Sequence, residues 1–268
     1  MPFVDTPRGR FAYDKYGSEG PVVYLLHGLS AKRADWGAVP ILLANQGFRV
    51  FAFDLRGHGD SDWPETGYSP EDYAGDLVAW AEALGHPKTH LVGHSASGRH
   101  ALVGAVLHPE RVSSLAILDQ TLWADPQRWI KYSEIYAGYP VPFKDEATLD
   151  EYLHGRFPAE NRFQYYRTLF KRLGSGQWSW NFNVPGACET QRIGRAVSYL
   201  GWIPKMIRPL LFIQGGDSKF VSPDEASEIK RLLPLDRYQV LEGAGHAVWQ
   251  NRENAFLQVL VPFLRSVS

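Results

Sequence analysis

Ser95 stands at the apex of Gly93-His94-Ser95-Ala96-Ser97-Gly98. The apolar run Thr89-His90-Leu91-Val92 precedes it, and a helical pattern from Arg99 to Leu107 follows. A β-type run, a tight turn and a helix would project the hydroxyl from a strained corner, and small neighbours let the backbone fold close beneath it. Ser97 breaks the G-x-S-x-G spacing, with glycine arriving one residue later. Serine is small enough for the turn to keep its shape. A serine hydroxyl becomes a useful nucleophile only when a base takes its proton. Imidazole titrates near neutral pH, and His246 follows the turn residues Gly243-Ala244-Gly245, which would bring its ring out at a sheet edge.

These residues need a scaffold, and the hydrophobic pattern supplies one. Phe11 to Tyr16 reads as an early strand. Val22 to Leu26, Phe48 to Phe53, Val112 to Leu118 and Leu210 to Ile213 read as strands buried on both faces. Arg237 to Leu241 is a further strand. Ser69 and Pro70 open a helix that runs to about Leu84, with Gly85 and Pro87 after it. Pro223 to Leu233 and Asn251 to about Leu264 are helical. Strands separated by helices imply an α/β fold with a mostly parallel sheet, whose ligands bind beyond the carboxyl ends of the strands. Every polar motif singled out follows such an end: His27-Gly28 after one strand, Asp54 to Ser61 after another, then Ser95, Asp119, Asp217 and His246.

From about 120 to 204 the alternation stops. No buried strand is evident there, and aromatic residues recur from Trp123 through Tyr136, Tyr165 and Trp180 to Trp202. This reads as a mostly helical, aromatic-rich cap at 120–204 over a core formed by 1–119 and 205–268. Most of these rings should pack against one another and a few should face the cleft.

Composition narrows the class. The chain has 268 residues and a net charge of −1, so no broad basic field suggests nucleic acid or an anionic membrane as partner. No stretch approaches the ~20 apolar residues of a membrane span, and the N-terminus lacks a signal-peptide core. The single cysteine, Cys188, suits a reducing compartment and reads as a small filler residue, so a cytoplasmic location is expected. The histidines lack metal-ligand spacing and no Gly-rich loop has nucleotide-binding spacing, so no metal and no cofactor is expected.

His27-Gly28, Asp54-Leu55-Arg56-Gly57-His58-Gly59-Asp60-Ser61, Gly93-His94-Ser95 and Gly243-Ala244-Gly245-His246 together resemble the α/β-hydrolase superfamily along essentially the whole chain. The nearest branch is that of capped serine esterases and lactonases. The resemblance implies a Ser-acid-His order, with the backbone N–H groups of Leu29 and Ala96 as the oxyanion hole. Many relatives carry the acid in the turn after the penultimate core strand, where Ser218 stands here beside Asp217. A smaller branch has Gly-Gly-x-Ser in that turn and takes its acid from the end of the strand after the elbow helix, which is Asp119. Asp119 is therefore the expected acid and Asp217 the alternative. His58 reads as part of a tight turn at the pocket floor, and His94 as packing directed away from the nucleophile. The implied activity is cleavage of small to medium hydrophobic carboxylic esters through an acyl-enzyme. A lactone or thioester is the near alternative. From other classes come a cofactor-free perhydrolase or haloperoxidase, and a non-catalytic ligand-binding member of the fold.

Overall fold

The computed structural model describes residues 2–267, without the side chains of residues 128, 160–162 and 165. Tyr165, named above, therefore lies outside the described residues. Eight strands form one sheet: β1 (Phe3–Thr6), β2 (Gly9–Tyr16), β3 (Val22–Leu26), β4 (Arg49–Phe53), β5 (Thr89–His94), β6 (Val112–Leu118), β9 (Leu210–Gly215) and β10 (Tyr238–Leu241). Their spatial order is β1-β2-β4-β3-β5-β6-β9-β10. The pairs β1–β2 and β2–β4 are antiparallel, and every pair from β4 to β10 is parallel.

The period of two in each strand divides its side chains between two cores. Val22, Tyr24 and Leu26 enter one, with Phe51, Phe53, Leu91, Ile117 and Phe212. Val23 and Leu25 enter the other, with Val50, Ala52, Val92, Leu118 and Ile213. The first core is closed by α2 (Pro70–Ala83), α3 (Ala96–Leu107) and α8 (Pro223–Leu232). The second is closed by α1 (Val39–Asn45) and α9 (Glu253–Arg265). A fully buried Leu or Phe contributes about 1.5–3 kcal/mol, and slipping a strand by one residue would send each side chain to the wrong layer. Register is thus fixed on both faces.

The helix starts follow local rules. Ser69 Oγ accepts from the Asp72 N–H while the Asp72 carboxylate accepts from the Ser69 N–H, and Pro70 takes the first helical position. The reading missed β1 and α1, both short. α1 has seven residues and carries Pro40 in its first turn.

The chain crosses from β3 to β4 on one side and then to β5 on the other, so the order reverses around β3. That switch point leaves a crevice beyond the carboxyl ends of β3 and β5. His27 to Ser30 and Ser95 lie there.

Between β6 and β9 the chain forms α4 (Arg128–Ala137), α5 (Glu146–Arg156), α6 (Glu160–Arg167), the antiparallel hairpin β7 (Phe170–Arg172) and β8 (Trp178–Trp180), and α7 (Val184–Gly194). The two-stranded hairpin is an addition to the helical reading. Tyr136, Tyr139, Phe143, Phe170, Trp180 and Phe182 form a third buried cluster, and Leu29 of the core packs against it.

Candidate active site

Ser95 joins β5 to α3 at φ 53°, ψ −130°. A non-glycine residue holds that conformation only where the surroundings over-determine it. Here the Ser95 N–H donates to Leu118 O at 2.9 Å, and the Gly98 N–H returns to Ser95 O at 2.8 Å. A Cβ on Gly93 would lie 2.7 Å from Ser97 O, and one on Gly98 would lie 2.8 Å from Ile117 Cγ2. Glycine at 98 is thus what lets α3 run close against β6. Ser97 does more than fit, because its hydroxyl donates to the His27 carbonyl.

The loop carrying Leu29 is held by two buried histidines. His27 Nδ1 lies 2.7 Å from Gly28 O and its Nε2 accepts from the Leu55 N–H at 3.1 Å. His58 Nδ1 lies 2.9 Å from Arg56 O and its Nε2 accepts from the Ser30 N–H at 3.2 Å. A carbonyl partner on Nδ1 and an N–H partner on Nε2 assign both rings to the neutral tautomer protonated at Nδ1. Burial enforces neutrality by pushing His27 down to about 4 and His58 down to about 3. The trans peptide points Gly28 O and the Leu29 N–H in opposite directions, so the His27 bond also aims Leu29. A Cβ on Gly28 would lie 3.1 Å from Ser95 Cβ, so glycine lets this loop approach the serine.

The segment Asp54 to Ser61 is the counter-anchor. Asp54 is fully buried and accepts from the Arg33 guanidinium and from the N–H groups of Arg33 and Asp60. A Cβ on Gly59 would lie 2.1 Å from Asp54 Oδ2. Arg56 is clamped to buried Asp76. These contacts fit the structural reading of His58.

Asp119 follows β6 at φ 47°. Its Oδ1 accepts from the Gly215 N–H at 3.1 Å, and its Oδ2 accepts from Ser218 Oγ at 2.5 Å and from His246 Nδ1 at 2.7 Å. The carboxylate is buried while the His246 side chain is 29 % exposed. Asp217 is exposed, and its backbone N–H donates to Ala244 O at 2.9 Å. Ser218, in the turn that the resemblance marks as an alternative place for a carboxylate, donates its hydroxyl to Asp119; the clue in the sequence is a hydroxyl at that position.

His94 packs as expected and does more besides. Its ring packs on Trp249, but it also lies 4.5 Å from the His246 ring and its Nε2 donates to the His246 carbonyl at 3.0 Å. It points toward His246 because β5 ends beside the Gly243–His246 turn. Nothing in residue type alone marks this. Glu225 of α8 was also missed. Burial raises its pKa, and it accepts from the Thr121 hydroxyl and the N–H groups of Leu122 and Trp123, anchoring the chain where it leaves Asp119.

Among the described residues, the Ser95 hydroxyl and the N–H groups of Leu29 and Ala96 have no hydrogen-bond partner. Ser95 follows β5, and the Asp119 that holds His246 follows the neighbouring β6, so a hydroxyl and an imidazole share one sheet edge with two spare donors, a set that suits attack on a carbonyl carbon. Among the described residues no cluster of His, Cys, Asp or Glu has the makings of a metal site, and no helix is long and apolar enough to cross a membrane.

A mostly parallel sheet with this edge is an α/β-hydrolase fold, and the alpha/beta hydrolase fold family model matches residues 21–249. The chain belongs to that family. Among known proteins it is 28% identical over 256 residues to 2-(acetamidomethylene)succinate hydrolase of Mesorhizobium japonicum, covering 91% of this chain and 88% of that protein. It is 28% identical over 253 residues to an sn-1-specific diacylglycerol lipase of Mus musculus, covering 91% and 81%. The crystal structure of E-2-(acetamidomethylene)succinate hydrolase superposes with a TM-score of 0.85 at 27% identity, over 98% of each chain. Family and relatives together make the chain a hydrolase.

Proposed function

We propose that the chain is a serine carboxylesterase acting on small to medium hydrophobic esters. Ser95 is its nucleophile, His246 its base, Asp119 its acid, and the Leu29 and Ala96 N–H groups its oxyanion hole. The observation that carries the reading is the 2.7 Å bond from His246 Nδ1 to buried Asp119. That bond leaves Nε2 for the hydroxyl.

Ser95 Oγ attacks the ester carbonyl carbon as its proton passes to His246 Nε2. Asp119 holds Nδ1–H and offsets the imidazolium charge. The carbonyl oxygen, now an oxyanion, accepts from Leu29 and Ala96; Ala96 begins α3, where the helix dipole favours negative charge. Collapse breaks the bond to the alkoxide, which takes the proton from Nε2 and leaves as alcohol. Water then loses a proton to His246 and attacks the acyl-Ser95 carbonyl. The second collapse frees the acid and returns the proton to Ser95.

Residues 120–204 act as a cap over the core of 1–119 and 205–268. Two contacts support this: Tyr136 of α4 is bonded to Ser30 at 2.5 Å, and Phe182 stacks on His58 at 6.0 Å. An aromatic cluster over the donor loop suits an apolar acyl or alcohol group.

The test pairs a fluorophosphonate probe with a panel of p-nitrophenyl esters of rising chain length, aromatic esters, lactones and thioesters. The chain should be labelled and Ser95→Ala should not. Esters should turn over faster than lactones and thioesters. An unlabelled native chain would favour a binding protein, and faster lactone or thioester turnover would replace the esterase reading.

A further inference from the structure

Asp119 holds the His246 imidazole by one edge. An edge bond alone leaves the ring plane free to swing about the Nδ1 contact. Phe220 covers the face: the two ring centroids are 3.6 Å apart and the planes are within 10°. Phe220 lies two residues beyond Ser218, and its N–H donates to Ser218 Oγ at 3.2 Å. One short turn thus brings a hydroxyl to Asp119 and an aromatic face to His246.

Phe220 is not a core residue. It is half-buried and belongs to none of the three buried apolar clusters among the described residues.

We infer that Phe220 is a positioning residue that holds the plane of the His246 ring and stabilises its protonated form through the face of the phenyl group. The inference rests on the reading of His246 as the base. When the Ser95 proton reaches Nε2, a neutral ring becomes a cation. An aromatic face carries the negative part of its quadrupole and attracts a cation within about 6 Å of the centroid. The attraction is weak to the neutral ring and strong to the charged one. It therefore lowers the barrier rather than merely the ground state. Other charges nearby largely offset one another. Asp217 and Lys219 flank the same turn with opposite signs, as do Glu242 and Arg252 beside Gly216 and Gly243. The His94 ring, 4.5 Å from that of His246, is kept neutral by burial and adds no charge, so Asp119 and the Phe220 face are the groups here that favour the protonated ring.

The test replaces Phe220 by mono-, di- and trifluorophenylalanine, which keep the shape and apolarity of the ring while draining its face of negative charge. On one p-nitrophenyl ester, kcat should fall stepwise to about one fifth at the trifluoro ring, with KM and the thermal midpoint unchanged. Phe220→Tyr should keep kcat within about twofold, and Phe220→Leu should lose about fivefold. A flat fluorine series overturns the proposal, whatever Phe220→Leu does, because packing would survive fluorination. His246→Ala is run alongside. If that variant keeps its activity, the reading of His246 as base fails; if it is inactive and the fluorine series is flat, only the role of Phe220 fails.

Discussion

The two sides of the Ser95 crevice are built on opposite principles. On one side, His27 and His58 are buried and neutral, and each spends both ring nitrogens on backbone groups. On the other, His246 is partly exposed, bonded to a carboxylate through one nitrogen, and has the second nitrogen to spare. On the function proposed above, the same residue type is a fixed strut in one region and a proton carrier in the other. Burial and partner decide which. A donor loop that must aim at an oxyanion gains from groups that cannot titrate, and a base must titrate.

The largest effect should come from breaking the carrier side. Asp119→Asn should lower kcat by about 10⁴ with little change in fold, because the amide no longer selects the right tautomer or offsets the imidazolium. Asp217→Asn should cost less than about tenfold, since Asp217 is exposed and reaches the site only through its backbone. Steady-state rates on one p-nitrophenyl ester decide between them. Full activity in Asp119→Asn would remove the proposed acid and with it the contrast between the two sides.

Much of this layout was legible. The continuous apolar runs of β3 and β5 gave central strands because both faces are buried, and Ser69-Pro70 gave a helix start because the cap and the fixed φ are local. The set of strand-end motifs was readable for the same reason: each is a turn directly after an apolar run. The contacts that His94 and Phe220 make with His246 were not readable. Each acts on a residue more than 20 positions away, through loops whose shape no period encodes. His94 is the clearest case, because its bond to His246 O depends on where β5 ends relative to a turn about 150 residues later. The hairpin β7–β8 escaped because three-residue strands carry no alternation to detect.

The strut side makes a prediction about pH. The folded state holds His27 at about 4 and His58 at about 3, and burial lowers His86 and His90 to about 4 as well. In the unfolded chain these rings titrate near 6.5. Between the two values the unfolded chain binds protons that the folded one refuses. Stability from these groups is therefore fully present above about pH 6.5 and is lost as pH falls toward 4, with His27 alone contributing on the order of 3 kcal/mol. The thermal midpoint should drop steeply from about pH 6.5 to about pH 4.5. His58→Phe should shallow that slope while lowering the midpoint at neutral pH, where the Ser30 N–H loses its acceptor. A midpoint that stays level through this window would mean that the struts are protonated in the folded state, and the two sides would no longer differ in kind.

Ser97 offers the finest test, because it bridges the two sides. Its hydroxyl ties the elbow that presents Ser95 to the carbonyl of the residue whose ring aims Leu29. Ser97→Ala removes that bond and leaves the His27 ring in place. One neutral hydrogen bond is worth about 1 kcal/mol, so the loss in kcat should be about threefold to fivefold, with KM nearly unchanged. Ser97→Gly restores glycine at the last position of the G-x-S-x-G spacing. It should lose the same amount of kcat and, in addition, lower the thermal midpoint, since glycine near a helix start adds backbone freedom to the unfolded chain. If Ser97→Ala keeps its full kcat while the midpoint falls, the hydroxyl only braces the fold, and the two halves of the site are aligned by the His27 ring without help from the elbow.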